Sequence, residues 1–213
     1  MAEAIKDYTK LWDTVALKVA NTEAPFLIGI AGAPASGKST LAERLVADFN
    51  EMGRDACYCP MDGFHLKNAV LDALGLRCVK GRIDTFDAEQ FARSVRQLKD
   101  GIAFWWPLYS RQRHEPVAEG TRISGTEKIY IIEGNYVLDR DEPWQATARE
   151  YNLRIFVDAP DAILRKRLLD RHELSGRTMQ EASNKIDQND MLNAQRIRRR
   201  QDVDIIYSEH ADE

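Results

Sequence analysis

One short segment, residues 32–40, limits what this chain can fold into more than any other part of it. The segment reads GAPASGKST and fits the pattern G-x-x-x-x-G-K-[ST] from Gly32 to Ser39. An apolar run of strand length, FLIGIA, precedes it at 26–31, and a pattern of helical spacing follows it at 39–50. A buried strand, a glycine-rich turn and a helix in this order predict a loop whose backbone N–H groups surround an anion.

The pattern predicts ATP with Mg²⁺ as the ligand of this loop. We expect Lys38 to reach the β- and γ-phosphates and the Ser39 hydroxyl to ligate Mg²⁺. Glu133 ends the apolar run IYIIE, and an acid at the carboxyl end of a buried strand is expected to join the same metal site. A glycine turn without a ligand and a solvated acid are the alternatives. The residues expected to bind the nucleotide are those of the whole segment: Gly32, Ala33, Pro34, Ala35, Ser36, Gly37, Lys38, Ser39 and Thr40.

Strands and helices alternate along the rest of the chain. Strand patterns lie at 26–31, 55–61, 128–133, 152–158 and 203–207. Helical spacing of apolar residues lies at 5–20, 39–50, 87–98, 161–172 and 179–200. This alternation predicts one α/β domain over residues 1–213, with a parallel sheet between two layers of helices. The segment 1–24 is expected to hold an N-terminal helix, and the insertions 60–83 and 100–126 a small lobe that binds the acceptor.

Charge and apolar content exclude several classes of protein. The net charge is −4, so the chain is not a broadly cationic protein of the kind that binds nucleic acid. Its apolar runs have strand length, and the N-terminal stretch MAEAIKDYTKLWD carries acids, so we expect neither a membrane span nor a signal peptide. Three cysteines, Cys57, Cys59 and Cys78, cannot form a disulfide framework. Cys57 and Cys59 share one face of a predicted strand, and we interpret them as reduced core thiols, with metal ligands as the alternative, which favours a cytoplasmic protein.

One basic run contrasts with this charge: Arg196, Arg198, Arg199 and Arg200. The simpler interpretation is a solvated helix face whose arginines pair with Asp202 and Asp204. The alternative is a contact with an anion or a nucleotide. No aromatic residue is interleaved with the run, so it does not indicate nucleic-acid binding.

A GTP-dependent switch is a competing class, because two of its motifs are matched. Residues 72–75 read DALG, which fits D-x-x-G, and residues 184–187 read NKID, which fits N-K-x-D. A switch places both motifs at the ends of core strands. Here Asp72 lies in an amphipathic helical segment and Asn184 in a polar helical one, so we interpret both matches as chance.

Asp62 follows the second strand in CYCPMDGF and indicates a kinase. A carboxylate at that point can accept the proton of a substrate hydroxyl as the hydroxyl attacks the γ-phosphate of ATP. The alternative is an aspartate that caps the next segment. His65 follows closely, and is expected either to hydrogen-bond a substrate hydroxyl or to cap the helix after it.

The order and spacing of several motifs resemble one group of P-loop kinases, which contains uridine kinase, phosphoribulokinase and the bacterial type of pantothenate kinase. The resemblance covers residues 25–207 and includes proteins labelled fructose transport system kinases. It rests on GAPASGKST, PMDGFHL, KGRIDTFD, PLYSRQRHEPV, IIEGNYVL and RIFVDAPDAILRKRLLDRHELSGRT. It implies a P-loop NTPase fold of three α/β/α layers, with a five-stranded parallel sheet in the order 2-3-1-4-5 and a small lid. It also implies that Asp62 is the catalytic base and that Glu133 assists the metal.

The same resemblance places the lid at 167–180. Arg167 and Arg171 are four residues apart on one predicted helix and share a face, and Arg177 follows after a glycine turn. Lids of such kinases bring arginines to the transferring phosphoryl group, so Arg167 and Arg171 are expected to bind ATP. Surface arginines paired with nearby acids are the alternative. The expected catalytic set is Lys38, Asp62, Arg171 and Arg177.

The acceptor site carries a weaker signal. The resemblance puts Tyr109 and His114 at positions that face the nucleobase in uridine kinases. Arg111 replaces an aromatic residue that is usual there, and arginine suits a carboxylate, a phosphate or a polyol better than a stacked uracil. A solvated loop is the alternative for Arg111. The residues expected to bind the acceptor are Asp62, His65, Lys80, Arg82, Tyr109, Arg111 and His114.

These residues together predict a kinase that transfers the γ-phosphate of ATP to a hydroxyl of a small metabolite, sugar-like or pantothenate-like. A uridine or cytidine kinase is one alternative, and an ATP-binding regulatory NTPase without kinase activity is another. Neither nucleic acid nor a membrane is an expected partner. For the N-terminal helix two arrangements are open: packing on a neighbouring subunit in a homodimer, or packing on its own sheet.

Overall fold

The computed structural model describes residues 2–20, 25–200 and 202–209. Its strands are β1 (Glu3–Ile5), β2 (Phe26–Gly32), β3 (Ala56–Pro60), β4 (Phe104–Ser110), β5 (Glu115–Ile123), β6 (Ile129–Glu133), β7 (Leu153–Val157) and β8 (Ile205–Tyr207). Its α-helices are α1 (Tyr8–Ala20), α2 (Lys38–Glu51), α3 (Asn68–Ala73), α4 (Ala88–Lys99), α5 (Trp144–Ala148), α6 (Asp161–Leu174), α7 (Met179–Lys185) and α8 (Met191–Ile197). Short 3₁₀ turns lie at Met61–Phe64, Arg77–Val79 and Ile83–Thr85, and a π-helical turn lies at Ile186–Asp190. Within these ranges, every helix is too short or too polar to cross a membrane.

Over the described residues, the main sheet has six parallel strands in the order β1-β8-β7-β2-β6-β3. Strand β2 lies near its centre, where Ile28 is opposite both Ile131 of β6 and Leu153 of β7. All seven residues of β2 are buried, which explains why FLIGIA contains no polar position. The predicted α/β fold is confirmed, and so is the order of its core strands, since β3-β6-β2-β7-β8 is 2-3-1-4-5 in chain order.

The N-terminal segment 1–24 is not the simple helix that was predicted, because it begins with a sixth strand. Strand β1 pairs with β8 at the sheet edge, and α1 begins only at Tyr8. The spacing of Ile5 and Tyr8 imitates a helical repeat, yet Ile5 is a buried strand residue. A strand there satisfies backbone groups that β8 would otherwise leave unpaired. Met1 and residues 21–24 of the predicted segment lie outside the described ranges.

Helix α1 packs on the chain's own sheet. Leu11, Val15 and Val19 are buried in the layer that also contains Ile28 of β2 and Leu45 of α2. Of the two open arrangements for this helix, packing on its own sheet is therefore confirmed. The homodimer stays a prediction.

An aromatic cluster covers the opposite face of the sheet. Phe64, Trp106 and Trp144 are buried there, and the rings of Phe64 and Trp106 meet edge to face with their centroids 4.9 Å apart. Trp106 also donates its indole N–H to the carbonyl of Pro60 (2.9 Å). The neighbouring Trp105 is 45% exposed, so only one tryptophan of this pair belongs to the core.

The two insertions that were predicted to form a small lobe lie against each other. Strands β4 and β5 form an antiparallel hairpin within 100–126, and this hairpin packs on the 3₁₀ turn Met61–Phe64 of the insertion 60–83. The lobe therefore holds Asp62 between the end of β3 and the hairpin. Binding of an acceptor by this lobe stays a prediction.

Gly63 makes the tightest approach between the insertions, since a Cβ there would lie 1.9 Å from the carbonyl oxygen of Pro107 in β4. Gly63→Ala is expected to lower the free energy of unfolding by about 3 kcal/mol or more, because backbone would have to move. Gly53→Ala is the control. A Cβ at Gly53 meets nothing within 4 Å, and only its φ of 71° costs about 1–2 kcal/mol. Urea unfolding measures both, and equal losses would contradict the packing described.

The helix predicted over 179–200 is interrupted, and this prediction is corrected. A π-helical turn separates α7 from α8, and α8 ends at Ile197. A π-turn adds a residue to one helical turn and so changes which side chains face the body of the protein. Asn189, Asp190 and Asn193 are buried in consequence, an outcome that no apolar repeat in the sequence indicates.

Candidate active site

The loop between β2 and α2 requires both of its glycines, Gly32 because of close packing and Gly37 because of its backbone conformation. A Cβ at Gly32 would lie 2.5 Å from Ser36 Oγ and 2.6 Å from the carbonyl oxygen of Val157. Gly37 has φ 98° at the start of α2, a conformation that residues with a side chain rarely adopt. Ala35 also has a positive φ, 66°. The local sequence thus permits the sharply curved backbone that an anion-binding loop requires.

Glu133 is the centre of a buried polar cluster beside this loop. Its carboxylate accepts hydrogen bonds from the hydroxyls of Tyr58 (2.8 Å) and Ser39 (3.1 Å), and lies 3.4 Å from the Lys38 ammonium. The side chains of Lys38 and Glu133 are only 12% and 7% exposed. Burial of a carboxylate is tolerated when a charge and several donors compensate it, as they do here. Burial, and next the Glu133 carboxylate, raise the pKa of the Tyr58 phenol, which therefore keeps its proton and donates.

The oxygen atoms of this cluster fit a divalent cation. Ser39 and Glu133 supply a hydroxyl and a carboxylate oxygen that lie 3.1 Å apart. Mg²⁺ prefers such hard oxygen ligands, and it typically takes only one or two carboxylates beside water and substrate phosphates. The two residues predicted as metal ligands thus lie side by side, and together they suit Mg²⁺ bound with a nucleotide.

A cavity of about 400 Å³ follows the loop and continues past it. Beyond residues 35–41, it is lined by Tyr8, Arg44, Tyr207 and Glu209. The Arg44 guanidinium lies 3.4 Å from the centroid of the Tyr8 ring, and the Tyr8 hydroxyl donates to Asp48 (2.5 Å). Sequence reasoning missed these residues. Tyr8 is remote from the loop along the chain, and only the pairing of β1 with β8 brings its helix to the cavity.

Two of the three predicted lid arginines lie at the cavity. Arg167 and Arg171 line it from α6, and Arg167 Nη1 donates to the carbonyl of Ala35 in the loop (3.3 Å). Arg177 does not line it. Its Nη1 contacts Ser175 Oγ (2.6 Å) and His172 Nδ1 (3.4 Å) instead. The structure thus brings Arg167 and Arg171 to the cavity, and holds Arg177 at the turn after α6.

Asp62 lies at the same end of the sheet as the loop. It follows β3, and Pro60 at the end of β3 is in register with Glu133 at the end of β6. The 3₁₀ turn Met61–Phe64 buries its other residues but leaves Asp62 exposed. A carboxylate that is accessible beside a phosphate-binding loop is where a base must be to meet an incoming hydroxyl.

His65 and Tyr109 line the lobe next to Asp62. The His65 ring stacks on Phe86 with centroids 3.9 Å apart, and its centroid lies 5.2 Å from that of Tyr109. Burial lowers the pKa of His65 to about 4, the nearby Lys80 contributes in the same direction, and Asp62 opposes them. Burial and, next, the Asp62 carboxylate raise the pKa of Tyr109. Both side chains are therefore neutral near pH 7.

Lys80 belongs to the same group of side chains. Its ammonium donates to Asn68 Oδ1 (2.7 Å) and to the carbonyl of His114 (2.7 Å), and lies 5.0 Å from the centroid of the Tyr109 ring. Burial, followed by the positive charge of Arg77, lowers the pKa of Lys80. Because its two close hydrogen-bond partners are uncharged, the ammonium can still attract an anionic group of a ligand.

The remaining predicted acceptor residues are not part of this group. Arg82 makes two hydrogen bonds to the Asp84 carboxylate (2.7 and 2.6 Å) and is exposed. Arg111 and His114 are exposed in the turn of the β4–β5 hairpin, where His114 has φ 51° and contributes its carbonyl, not its imidazole, to Lys80. Roles for these three residues in binding an acceptor stay predictions.

His65 is expected to make stability depend on pH. Its folded pKa of about 4 lies below the ordinary 6.5, so protons bind more tightly to the unfolded chain. Stability from this residue is complete above pH 6.5 and is lost between pH 6.5 and 4, by about 3 kcal/mol at most. His65→Phe keeps a ring against Phe86 and should reduce that loss by this amount in urea unfolding from pH 7 to 4. His114→Asn is the exposed control, and an unchanged slope in His65→Phe would contradict the burial of the ring.

The other noted motifs lie elsewhere. Asp72 of DALG pairs with Arg77 on the surface, and Asp187 of NKID pairs with Arg165 of α6. The predicted partners of the basic run are wrong, because distant chain segments supply nearer acids. Arg196 pairs with Asp139 and Asp141, Arg198 pairs with Asp158 and Asp161, and Asp204 pairs with Arg154.

The fold and the site define a class of protein, the P-loop enzymes that bind a nucleoside triphosphate with a divalent cation. Within this class the chain belongs to the phosphoribulokinase / uridine kinase family, whose model matches residues 27–202. The resemblance inferred from the motifs is thus confirmed, and the chain is a P-loop kinase of this family.

Relatives of known sequence or structure carry several different names. A protein of Schizosaccharomyces pombe, named as a candidate uridine kinase, is 32% identical over 202 residues, which cover 90% of this chain and 86% of that protein. Pantothenate kinase of Listeria welshimeri is 33% identical over 160 residues, which cover 73% of this chain but only 52% of that enzyme. The crystal structure of a candidate fructose transport system kinase from Silicibacter sp. TM1040 has a TM-score of 0.86 at 33% identity, covering 92% of this chain and 97% of that one.

Proposed function

We propose that this protein transfers the γ-phosphate of ATP to a hydroxyl of a small, polar metabolite. The observation that carries the proposal is the convergence of Lys38, Ser39 and Glu133 at the loop, with Asp62 at the end of the neighbouring strand. A phosphate-binding loop alone would also suit an ATPase. An accessible carboxylate beside it, in a lobe that has its own polar side chains, favours transfer to a hydroxyl.

The nucleotide is proposed to lie along the cavity with its phosphates on residues 32–40. Lys38 would contact the β- and γ-phosphates, and Ser39 and Glu133 would hold Mg²⁺, which neutralises charge on the phosphates. The opposite end of the cavity, at Tyr8 and Arg44, would receive the base, since a guanidinium stacked on a ring offers a flat surface. Arg167 and Arg171 would add positive charge to the transferring group when α6 moves toward it.

Asp62 is proposed to accept the proton of the attacking hydroxyl. In this mechanism the acceptor oxygen forms a bond to the γ-phosphorus as the bond to the β-phosphate oxygen breaks, and the proton moves to the Asp62 carboxylate. The neutral His65 and Tyr109 would orient the acceptor by hydrogen bonds, and Lys80 would bind an anionic group on it.

The acceptor is proposed to be sugar-like or pantothenate-like. Lys80 supports a polar or acidic acceptor, because its ammonium has uncharged partners in the lobe. The names of the relatives are divided between uridine, pantothenate and fructose transport, so they do not select one substrate. A uridine or cytidine kinase is the second candidate, favoured by Tyr109 beside His65 as a surface for a base.

A screen of hydroxylated compounds with Mg-ATP tests the proposal. ADP release would be followed in a coupled assay with sugars, pantothenate, D-glycerate, uridine and cytidine, and calorimetry would measure ATP binding separately. Stimulation of ADP release by a sugar or by pantothenate supports the first candidate. Efficient turnover of uridine or cytidine would replace it with the second. ATP binding without stimulation by any acceptor would favour a regulatory NTPase, and no ATP binding would overturn the proposal.

A further inference from the structure

His172 connects a lid arginine to a buried acid. Its Nδ1 lies 3.4 Å from Arg177 Nη1, and its Nε2 lies 2.7 Å from Asp190 Oδ2. A guanidinium can only donate hydrogen bonds, so Nδ1 facing Arg177 must accept, and the ring proton lies on Nε2 and is donated to Asp190. The side chains of His172 and Asp190 are each only 12% exposed. Both ring nitrogens of this largely buried imidazole are therefore hydrogen-bonded, one accepting from Arg177 and the other donating to Asp190.

Asp190 lies in the π-helical turn. Neighbouring side chains of this turn and of α7 and α8 donate hydrogen bonds to backbone carbonyls within residues 78–81. The amide of Asn189 donates to the carbonyl of Lys80 (3.5 Å), and that of Asn193 donates to the carbonyl of Gly81 (3.3 Å). Lys185 Nζ donates to the carbonyl of Cys78 (3.3 Å). Gly81 also accepts from the Tyr136 hydroxyl (2.8 Å). We name residues 78–81 the acceptor loop, because the Lys80 side chain extends from it into the lobe.

The two ends of this arrangement are functionally distinct. One end is Arg177 at the turn after α6, the helix that carries Arg167 and Arg171 at the nucleotide cavity. The other end is Lys80, whose ammonium lies beside Tyr109 in the lobe. Asn189 and Asn193 are 6% and 5% exposed, so this part of the connection is shielded from water, and a buried hydrogen bond is costly to leave unmade. A π-turn interrupts the helix at this point, as such turns often do at functional sites.

We propose that His172 and Asp190 are positioning residues that couple the lid to the acceptor loop. When α6 moves over a bound nucleotide, Arg177 and His172 move with it, and Asp190 transmits the change through the π-turn to the carbonyls that hold Lys80. Nucleotide binding would thus order the acceptor loop before the acceptor binds. This inference rests on the proposed function, since it requires that a nucleotide bind at the loop.

Hydrogen exchange detected by mass spectrometry tests the coupling without knowledge of the acceptor. The probe is the non-hydrolysable ATP analogue AMP-PNP with Mg²⁺, and calorimetry measures its binding to each variant. In the wild type, peptides that contain 172–177 and 78–81 are expected to gain protection together, by about fivefold or more. Asp190→Leu should keep nucleotide affinity within about threefold and lose the protection at 78–81. Asp190→Asn should retain most of it, because its amide oxygen can still accept from Nε2–H.

The chain offers a matched control for this experiment. Asp187 lies in the same π-turn and pairs with Arg165 of the same helix α6, but that pair is exposed. Asp187→Leu should therefore behave as the wild type. Should Asp190→Leu not fold, His172→Phe breaks the connection from the other side and keeps a ring in place. In each variant, residues 78–81 must exchange at the wild-type rate before nucleotide is added. This comparison separates loss of coupling from a merely structural role.

Three results would overturn the inference. Protection of 78–81 by Mg-AMP-PNP that survives in Asp190→Leu, or in His172→Phe, would show that the path does not carry the coupling. Nucleotide binding that protects 172–177 but not 78–81 in the wild type would show that no coupling exists, and would leave the proposed function intact. Absence of binding in calorimetry would overturn both together.

Discussion

Replacing Asp62 with asparagine is expected to lower phosphoryl transfer by about 10²–10⁴-fold and to change ATP affinity little. Asparagine keeps the shape of the side chain but cannot take the proton of the attacking hydroxyl. Asp62 is exposed and does not line the nucleotide cavity, so the loss should fall on kcat and not on nucleotide binding. Coupled ADP release with the acceptor found by the screen, together with calorimetry of Mg-ATP, measures the two quantities separately.

Asp72→Asn is a suitable control for this substitution. Asp72 is also an exposed aspartate in the insertion 60–83, but it lies at the end of α3 and pairs with Arg77. We expect turnover within about twofold of the wild type for this variant, since surface pairs contribute little. If Asp62→Asn retained full turnover, the assignment of the base would be wrong, and proton transfer would have to pass to water or to phosphate.

The parts of the site that the sequence predicts are those encoded in a few consecutive residues. In GAPASGKST, Gly37 is required because its φ is 98°, and Gly32 is required because a Cβ there would collide with Ser36. The strand β2 is likewise predictable from consecutive residues, because every residue in it is buried and therefore apolar or glycine. The order of the sheet is a different case. It depends on pairing between distant segments, and it came from the family resemblance and not from any local pattern.

The parts that could not be predicted depend on contacts between distant segments. Tyr8 enters the cavity only because a short strand, unrecognised in the sequence, places α1 at the edge next to β8. Tyr58 donates to Glu133 across neighbouring strands, although nothing in CYCP distinguishes it from a core tyrosine. The π-turn could not be predicted either, because its buried polar residues give no apolar signal. Its buried residues are asparagines and an aspartate, which a search for apolar spacing treats as solvent-facing.

The acceptor site shows how a correct motif can still leave individual residues unplaced. KGRIDTFD supplies two basic side chains two positions apart, and sequence reasoning treated Lys80 and Arg82 alike. In the structure Lys80 extends into the lobe, while Arg82 is held by Asp84. The difference arises because the backbone turns at Gly81, whose φ is 102°. Charge alone therefore predicts that a segment is basic, but not which of its residues faces a ligand.

Lys38→Met is expected to reduce turnover by about 10²–10³-fold and to weaken the binding of Mg-ATP. Methionine has a similar length but no charge, so contact with the phosphates is lost while the loop keeps its volume. The substitution has a second consequence, because Lys38 is the buried cation beside Glu133. Removing one partner of a buried pair typically costs about 3 kcal/mol, so a loss of stability must be separated from a loss of catalysis.

A double variant separates the two effects. In Lys38→Met combined with Glu133→Gln, the uncompensated carboxylate is replaced by a neutral amide that can still accept from Ser39 and Tyr58. We expect urea unfolding to show most of the lost stability restored, and turnover to stay at least as low as in the single variant. Recovery of both together would mean that Lys38 serves only to neutralise Glu133. Recovery of stability without recovery of turnover would indicate that the charge of Lys38 acts on the bound nucleotide, because the fold would then be intact while phosphoryl transfer is still lost.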